Sequence, residues 1–161
     1  MFDEPPLHEK LAVLAKKAEQ KMPGAIAGFA LVDPTGLFIK EAVFPSLPLT
    51  FQEAIAFIPL SVPYIGTCAQ AICTGSTVSS FDITSDERFD AGWRRLCLAS
   101  GIHALQSKPL QAGNRVPAGT FVVGFKAPSR PERWCETYMT EVATLACEAI
   151  CRRRLVAGRL G

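Results

Sequence analysis

Histidine is scarce in this chain, with two in 161 residues, and no cysteines stand at Cys-x-x-Cys spacing. Tetrahedral zinc is built from those residue types at short spacings, so no metal ligands are assigned. Charge of one sign is also lacking. The formal net charge is +2, and the basic residues are scattered apart from Arg152, Arg153 and Arg154. A run of that kind at a helix end is a solvated face that complements the helix dipole, and it leaves no electrostatic footprint for nucleic acid. Long hydrophobic runs are missing as well: Pro, Gly or a charge interrupts every apolar stretch before the ~18 residues a membrane span requires. MFDEPPLHEK opens acidic and passes straight into an amphipathic pattern, so no signal peptide is expected. Together these absences predict a soluble, cytoplasmic protein with neither nucleic acid nor membrane as partner.

What remains is a chain in the usual length range for one domain, able to bury its apolar surface around a single core. Six cysteines are present. Cys97, Cys135, Cys147 and Cys151 lie in stretches of helical periodicity beside Leu, Ala and Val, where a thiol behaves as a small apolar side chain, so reduced, mostly structural thiols are expected. Residues 7–22, LHEKLAVLAKKAEQKM, place Leu7, Leu11, Leu14, Ala15, Ala18 and Met22 on one stripe and charges on the other. That predicts an amphipathic helix with His8 facing solvent. AIAGFALVD and LFIKEAVF are β-rich runs joined by DPTG and predict a hairpin. A short helical pattern follows over 50–57, then a helix over TCAQAICTG ended by Gly75, then a strand near TVSSF. DITSDERFDAGWRRLCLAS predicts a helix entered through a polar loop, with Phe89, Trp93, Leu96 and Cys97 inward. GIHALQSKPLQ and AGTFVVGFKA predict a second hairpin with its turn around AGNRVP. A long terminal helix follows Pro131, with Trp134, Tyr138 or Met139, Val142, Leu145 and Ile150 apolar. The order is that of a mixed α+β domain with an antiparallel sheet.

PYIGTCAQAICTG, residues 63–75, brings a turn, a thiol and a helix start together. The first amides of a helix have no internal partners and lie at the positive end of its dipole. Behind Gly66 and Thr67, the N–H groups of Cys68 and Ala69 are therefore candidates to hold a small anion without a charged side chain. Asp82, Asp86, Glu87 and Asp90 follow as an acidic cluster that reads as a capping, solvated loop and would repel a phosphate.

The series GTCAQAICTGSTVSSFDI, a Trp-bearing helix, GIHALQSKPLQ, AGTFVVGFKAPSRP and the closing TEVATLACEAICRRR resembles a GAF domain over nearly the whole chain. It is most similar to GAF modules of bacterial sensory proteins, in which a Gly-x-Cys-Gly-x-Ala turn, a Gly-[Ile/Leu]-x-Ala-x-x-Ser-x-Pro-[Ile/Leu] strand and a Gly-Thr-Phe strand recur in that order. Ala69 departs from the pattern, standing where a second Gly is common and leaving less room for a ligand to approach the backbone. The resemblance implies an α+β, GAF/PAS-like fold. Its antiparallel sheet has five to six strands, with the terminal helices on one face and a ligand pocket of short helices and loops on the other. Residues 1–161 would form one GAF domain, with 7–22 and 131–155 as the terminal helices and 25–126 as the sheet and pocket.

What the resemblance implies for function is a non-catalytic regulatory or sensory module that binds a small ligand, similar in layout to GAF proteins that sense nitrate. Gly66, Thr67, Cys68 and Ala69 would form the anion cradle, with the strand carrying His103 opposite and Phe44, Tyr64, Trp93 and Leu105 as an apolar wall. Ligand binding would order the loop from Phe81 to Trp93 and shift the terminal helices, through which the module would pair as a homodimer. With no output domain in the sequence, the signal would pass to a separate protein such as a histidine kinase or a diguanylate cyclase. No cofactor is implied.

Two other readings stay open. One is a ligand-free GAF dimerisation module. The other is a free methionine-(R)-sulfoxide reductase of GAF fold, since Cys68 and Cys97 stand at a separation similar to the attacking and resolving thiols of that family, and a thiol at a helix start is a candidate for a lowered pKa. Against it, Leu105 occupies the place of that family's carboxylate, and Cys97 falls in an apolar helical pattern. A haem would have His103 as its internal ligand, yet that residue sits between Ile102 and Ala104 on an expected strand, where a histidine is more often a structural residue. The Cys-His pair of a bilin site and the Asn-Lys-x-Asp-Glu pattern of nucleotide-binding members are both missing.

Overall fold

Leu11, Ala15, Ala18 and Met22, spaced for one helix face, are buried along α1 (Leu7–Lys21), while Lys16, Lys17 and Gln20 face water. The computed structural model in which this is seen describes residues 5–61, 65–111 and 116–160, with the backbone alone over 156–160. After α1 the chain reverses at Gly24, whose φ of +84° is left-handed and costs glycine nothing. It then enters β1 (Ala25–Val32), buried at all eight positions because both faces of the sheet are covered here. β2 (Ile39–Val43) pairs back on β1 as expected. The DPTG turn between them is organised by Asp33: its carboxylate accepts from the amides of Thr35 (3.0 Å), Leu37 (2.9 Å) and Phe38 (3.2 Å) and from the Thr35 hydroxyl. Asp33 is buried. Burial works to raise its pKa, but the bonds from Thr35, Phe38 and Leu37 outweigh it and hold the carboxyl below the ordinary value.

α2 (Leu49–Ile55) and α3 (Thr67–Thr74) follow, the latter closed by Gly75 in the left-handed conformation. β3 (Val78–Ser80) is a short edge strand. The helix expected behind a polar loop is α4 (Ala91–Ala99): a single 3₁₀ turn covers Ile83–Ser85 in the loop, and the helix begins where the Asp90 carboxylate accepts from Trp93 N at 3.1 Å and caps it. Phe89 is therefore buried ahead of the helix, not within it. β4 (Ala104–Pro109) and β5 (Gly119–Phe125) pair antiparallel, and the AGNRVP turn joining them lies largely outside the described residues, at 112–115. α5 runs from Arg133 to Leu160.

All strand pairs are antiparallel, and the five lie in the order β2-β1-β5-β4-β3. α1 and α5 cover one face. Leu11, Ala15 and Ala18 meet Phe29, Phe121 and Val123 there, along with Cys135, Met139, Val142, Ala146 and Ile150. Met139, Val142 and Ile150 of the expected α5 stripe face inward, whereas Trp134 and Leu145 are 45% and 51% exposed and Cys135 and Ala146 take the inward positions beside them. Small side chains let a helix lie close to a sheet, and the inward row Cys135, Met139, Val142, Ala146, Ile150 keeps the three- and four-residue spacing of one face. The other face is covered by α2, α3 and α4, with Phe44, Phe51, Ile72, Phe89, Trp93 and Leu105 in one apolar cluster.

Candidate functional site

α3 begins against the α2–α4 face of the sheet. Gly66, its N-cap residue, is extended and has no side chain, and no other side chain caps the helix. Its first amides thus lack the partner that Ser, Thr or Asp would give them. Beside them lies a polar knot in an apolar cluster. The Thr67 and Ser107 hydroxyls are hydrogen-bonded at 2.8 Å, and Cys68 Sγ lies 3.5 Å from the same Ser107 oxygen. Ser107 on β4 and Thr120 on β5 are fully buried, as is Thr67. Burial pushes the Cys68 thiol pKa up, although the Ser107, Thr120 and Thr67 hydroxyls pull the other way. Cys97 is buried on α4, where desolvation first and the neighbouring Cys68 second raise its pKa further. All six cysteines are free thiols.

Aromatic rings close around this knot, and glycines seat them. A Cβ built on Gly66 would overlap Trp93 Nε1, and one on Gly28 would overlap the Phe44 ring, so both rings lie directly on backbone. Trp93 packs on Phe89 with ring centroids 5.1 Å apart, and Phe44 meets Phe51 edge-on at 5.3 Å. Leu105 is buried in the same cluster. The structure therefore brings Phe44, Gly66, Thr67, Cys68, Ala69, Trp93 and Leu105 to one side of the sheet.

Phe81 lies elsewhere in its contacts: its ring carries the Arg130 guanidinium 4.5 Å from the centroid, and its carbonyl accepts from Ser129 N. His103 is half-buried just before β4 and is tied by its backbone, donating to the Phe125 carbonyl and accepting from Ile83 N. Tyr64 lies outside the described residues. His8 is exposed on α1 and meets Glu41 at 2.6 Å. In the acidic loop, Asp90 caps α4, and Asp86 binds the Arg88 guanidinium at 2.6 Å. Among the described residues no group of three or more His, Cys, Asp or Glu could hold a metal ion, and no helix is long and apolar enough to cross a membrane.

Ser107 and Thr120 were not legible as site residues. Ser107 stood in the Ser-x-Pro motif without a role, yet two-residue alternation from Leu105 already puts it on the same face as that apolar residue, and a serine on a buried face is the signal that would have found it.

A five-stranded antiparallel sheet with its terminal helices on one face and short helices on the other defines an α+β fold class. More narrowly, the chain has the fold of a GAF domain. No protein-family model matches the sequence, and no curated protein is significantly similar to it. Solved structures do match. A domain assigned to a two-component sensor histidine kinase of Sinorhizobium meliloti 1021 is similar at 18% identity and TM-score 0.75, over 98% of this chain and 100% of that one. The GAF domain of an Acinetobacter phosphoenolpyruvate-protein phosphotransferase matches at 16% identity and TM-score 0.69, over 94% and 86%. Free methionine-R-sulfoxide reductase from Neisseria meningitidis, solved with its substrate, matches at 20% identity and TM-score 0.69, over 96% and 83%. At these identities the likeness is one of fold.

Proposed function

We propose that this chain is a regulatory GAF module that binds a small polar ligand, such as nitrate, at the start of α3. The observation that carries this reading is the knot of Thr67, Cys68 and Ser107 beside an uncapped helix start, sealed within apolar and aromatic side chains. Hydrogen-bond donors in such a setting compete with little water, so a few of them suffice to hold a small oxyanion. Trp93 over Gly66 would act as the movable wall, and binding would favour the conformer in which it has swung aside. The signal would travel through the sheet to α1 and α5, where Val13 and Leu145, 52% and 51% exposed, border an apolar groove that suits a second copy of the chain. A separate signalling protein, such as a kinase or a cyclase, would read the result.

Thiol reductase chemistry is disfavoured on physical grounds. Cys68 and Cys97 are 7% and 1% exposed, and burial pushes both pKa values up, whereas attack on a sulfoxide requires an accessible thiolate. Thermal-shift and native mass measurements with nitrate, nitrite, chloride and methionine sulfoxide test the reading. A small oxyanion should raise Tm, and Cys68→Ser should keep that response because the backbone makes the contacts. If none of these solutes stabilises the protein or adds to its mass, the module acts without a ligand on this face.

A further inference from the structure

On the opposite face, where α5 crosses β4, the sheet carries a second polar arrangement. Strand alternation that turns Leu105 and Ser107 toward α3 turns Gln106 and Lys108 toward α5. Gln106 is 6% exposed, and its carbonyl oxygen is buried without a hydrogen-bond partner. Leaving such an acceptor unsatisfied is costly, and native proteins rarely do it without a reason. Gln106 lines a cleft of about 460 Å³, a size that fits a small molecule.

The groups around it are sorted by chemistry. Lys108 and Arg133 bring two positive charges, and among the described residues no carboxylate pairs with either. Thr137 and Thr140 spend their hydroxyl protons on α5 itself, donating to the Arg133 carbonyl at 3.2 Å and the Glu136 carbonyl at 3.0 Å, so toward the cleft they can only accept. Glu136 and the Gln106 carbonyl are acceptors as well. An occupant that satisfies this wall has a carboxylate for Lys108 and Arg133 and an ammonium for Glu136 and Gln106. A simple anion would leave the acceptors unmet, and a simple amine would leave the cations unmet.

We infer that the cleft between α5 and β4 is a second ligand site, distinct from the α3 site, that takes a free α-amino acid or a zwitterion of similar size. Its position against the N-terminal half of α5 lets an occupant bear directly on the helix that the proposed dimer uses.

Isothermal titration calorimetry with each standard L-amino acid at millimolar concentration, beside acetate, succinate and methylamine, tests it. At least one amino acid should bind, and all three of the simple ions should bind more weakly than it does. Gln106→Leu should weaken that binding about ten-fold or more and leave the Tm of the ligand-free protein unchanged or raised, because it removes a buried acceptor that has no partner. Arg133→Ala, at an exposed position, should weaken it as well, while Cys68→Ser should not. Absence of binding by every amino acid, equal binding of acetate, succinate or methylamine, or binding that survives both Gln106→Leu and Arg133→Ala would overturn the inference. The α3 proposal stands or falls separately, since its response is read with nitrate and its residues are on the other face.

Discussion

The two faces of the sheet bury similar strands in different ways. Behind it, α1 and α5 lie close on small side chains, Ala15, Ala18, Ala27, Ala143 and Ala146, with Phe29 and Phe121 as the large rings, 5.0 Å apart. In front, Phe44, Phe51, Phe89 and Trp93 fill the space, and two of them rest on glycine. The cleft by Gln106 lies open beside this packing, where α5 crosses β4. Rings seated on glycine leave little slack, so a ligand at α3 must displace one of them. On the two proposals, one face would bind by filling a cleft that exists and the other only by changing conformation.

Truncating one ring on each face gives the largest expected effect. Phe121→Ala and Trp93→Ala should each cost about 3–5 kcal/mol, read by urea denaturation, because both side chains are buried and few neighbours can collapse into the space. A cost below about 1 kcal/mol for Trp93→Ala alone would mark the α3 face as loosely held, with Trp93 a lid and not a core residue. Gly66→Ala comes next. Its methyl would overlap the Trp93 indole, so stability should fall by about 1–3 kcal/mol through overpacking. An unchanged midpoint would mean that the indole moves aside freely, which would sharpen the case for a movable wall.

The smallest effect concerns acid. A hydrogen bond from Arg88 holds the Asp86 carboxyl down to about 2, on the loop that leads to Trp93, and Arg88 also donates to the Ser79 carbonyl at 2.7 Å. A pKa lowered in the folded state stabilises the fold above the unfolded value near 4, and that contribution is lost as pH falls through about 2. Urea midpoints should therefore decline between about pH 5 and about pH 2, and Asp86→Asn should flatten part of that decline. Tryptophan fluorescence locates the change, because Trp93 is buried on this face and Trp134 is exposed on α5. If the slope is the same in the variant, the Asp86 pair does not hold the loop.

Much of the fold was legible because its signals are local. Apolar spacing marked α1, the DPTG turn marked the first hairpin, and Asp90 was among the cap-prone residues ahead of α4. The order of GTCAQ, HALQSKP and GTF pointed to the family fold before any contact was known. Three placements needed the structure. Trp134 and Leu145 are apolar enough to suggest burial, yet they are largely exposed, because each stands one residue, about 100° of helix, off the inward row of Cys135, Met139, Val142, Ala146 and Ile150. Phe81 opens the loop expected to order on ligand binding, and its ring pairs with Arg130 from a distant segment. Phe89 keeps the helical spacing of Trp93 and Leu96 but is buried in the loop ahead of α4, because the Asp90 cap starts the helix after it.

The sequence by itself determined the elements, the antiparallel hairpins and the uncapped glycine start of α3, since each rests on bonds or steric limits within a few residues. Only the tertiary structure decided that Trp93 lies on Gly66, that Ser107 and Thr67 share a hydrogen bond, and that the Gln106 side-chain oxygen is buried without one. Those facts join residues tens of positions apart, and strand order and packing bring them together in ways that local periodicity does not encode.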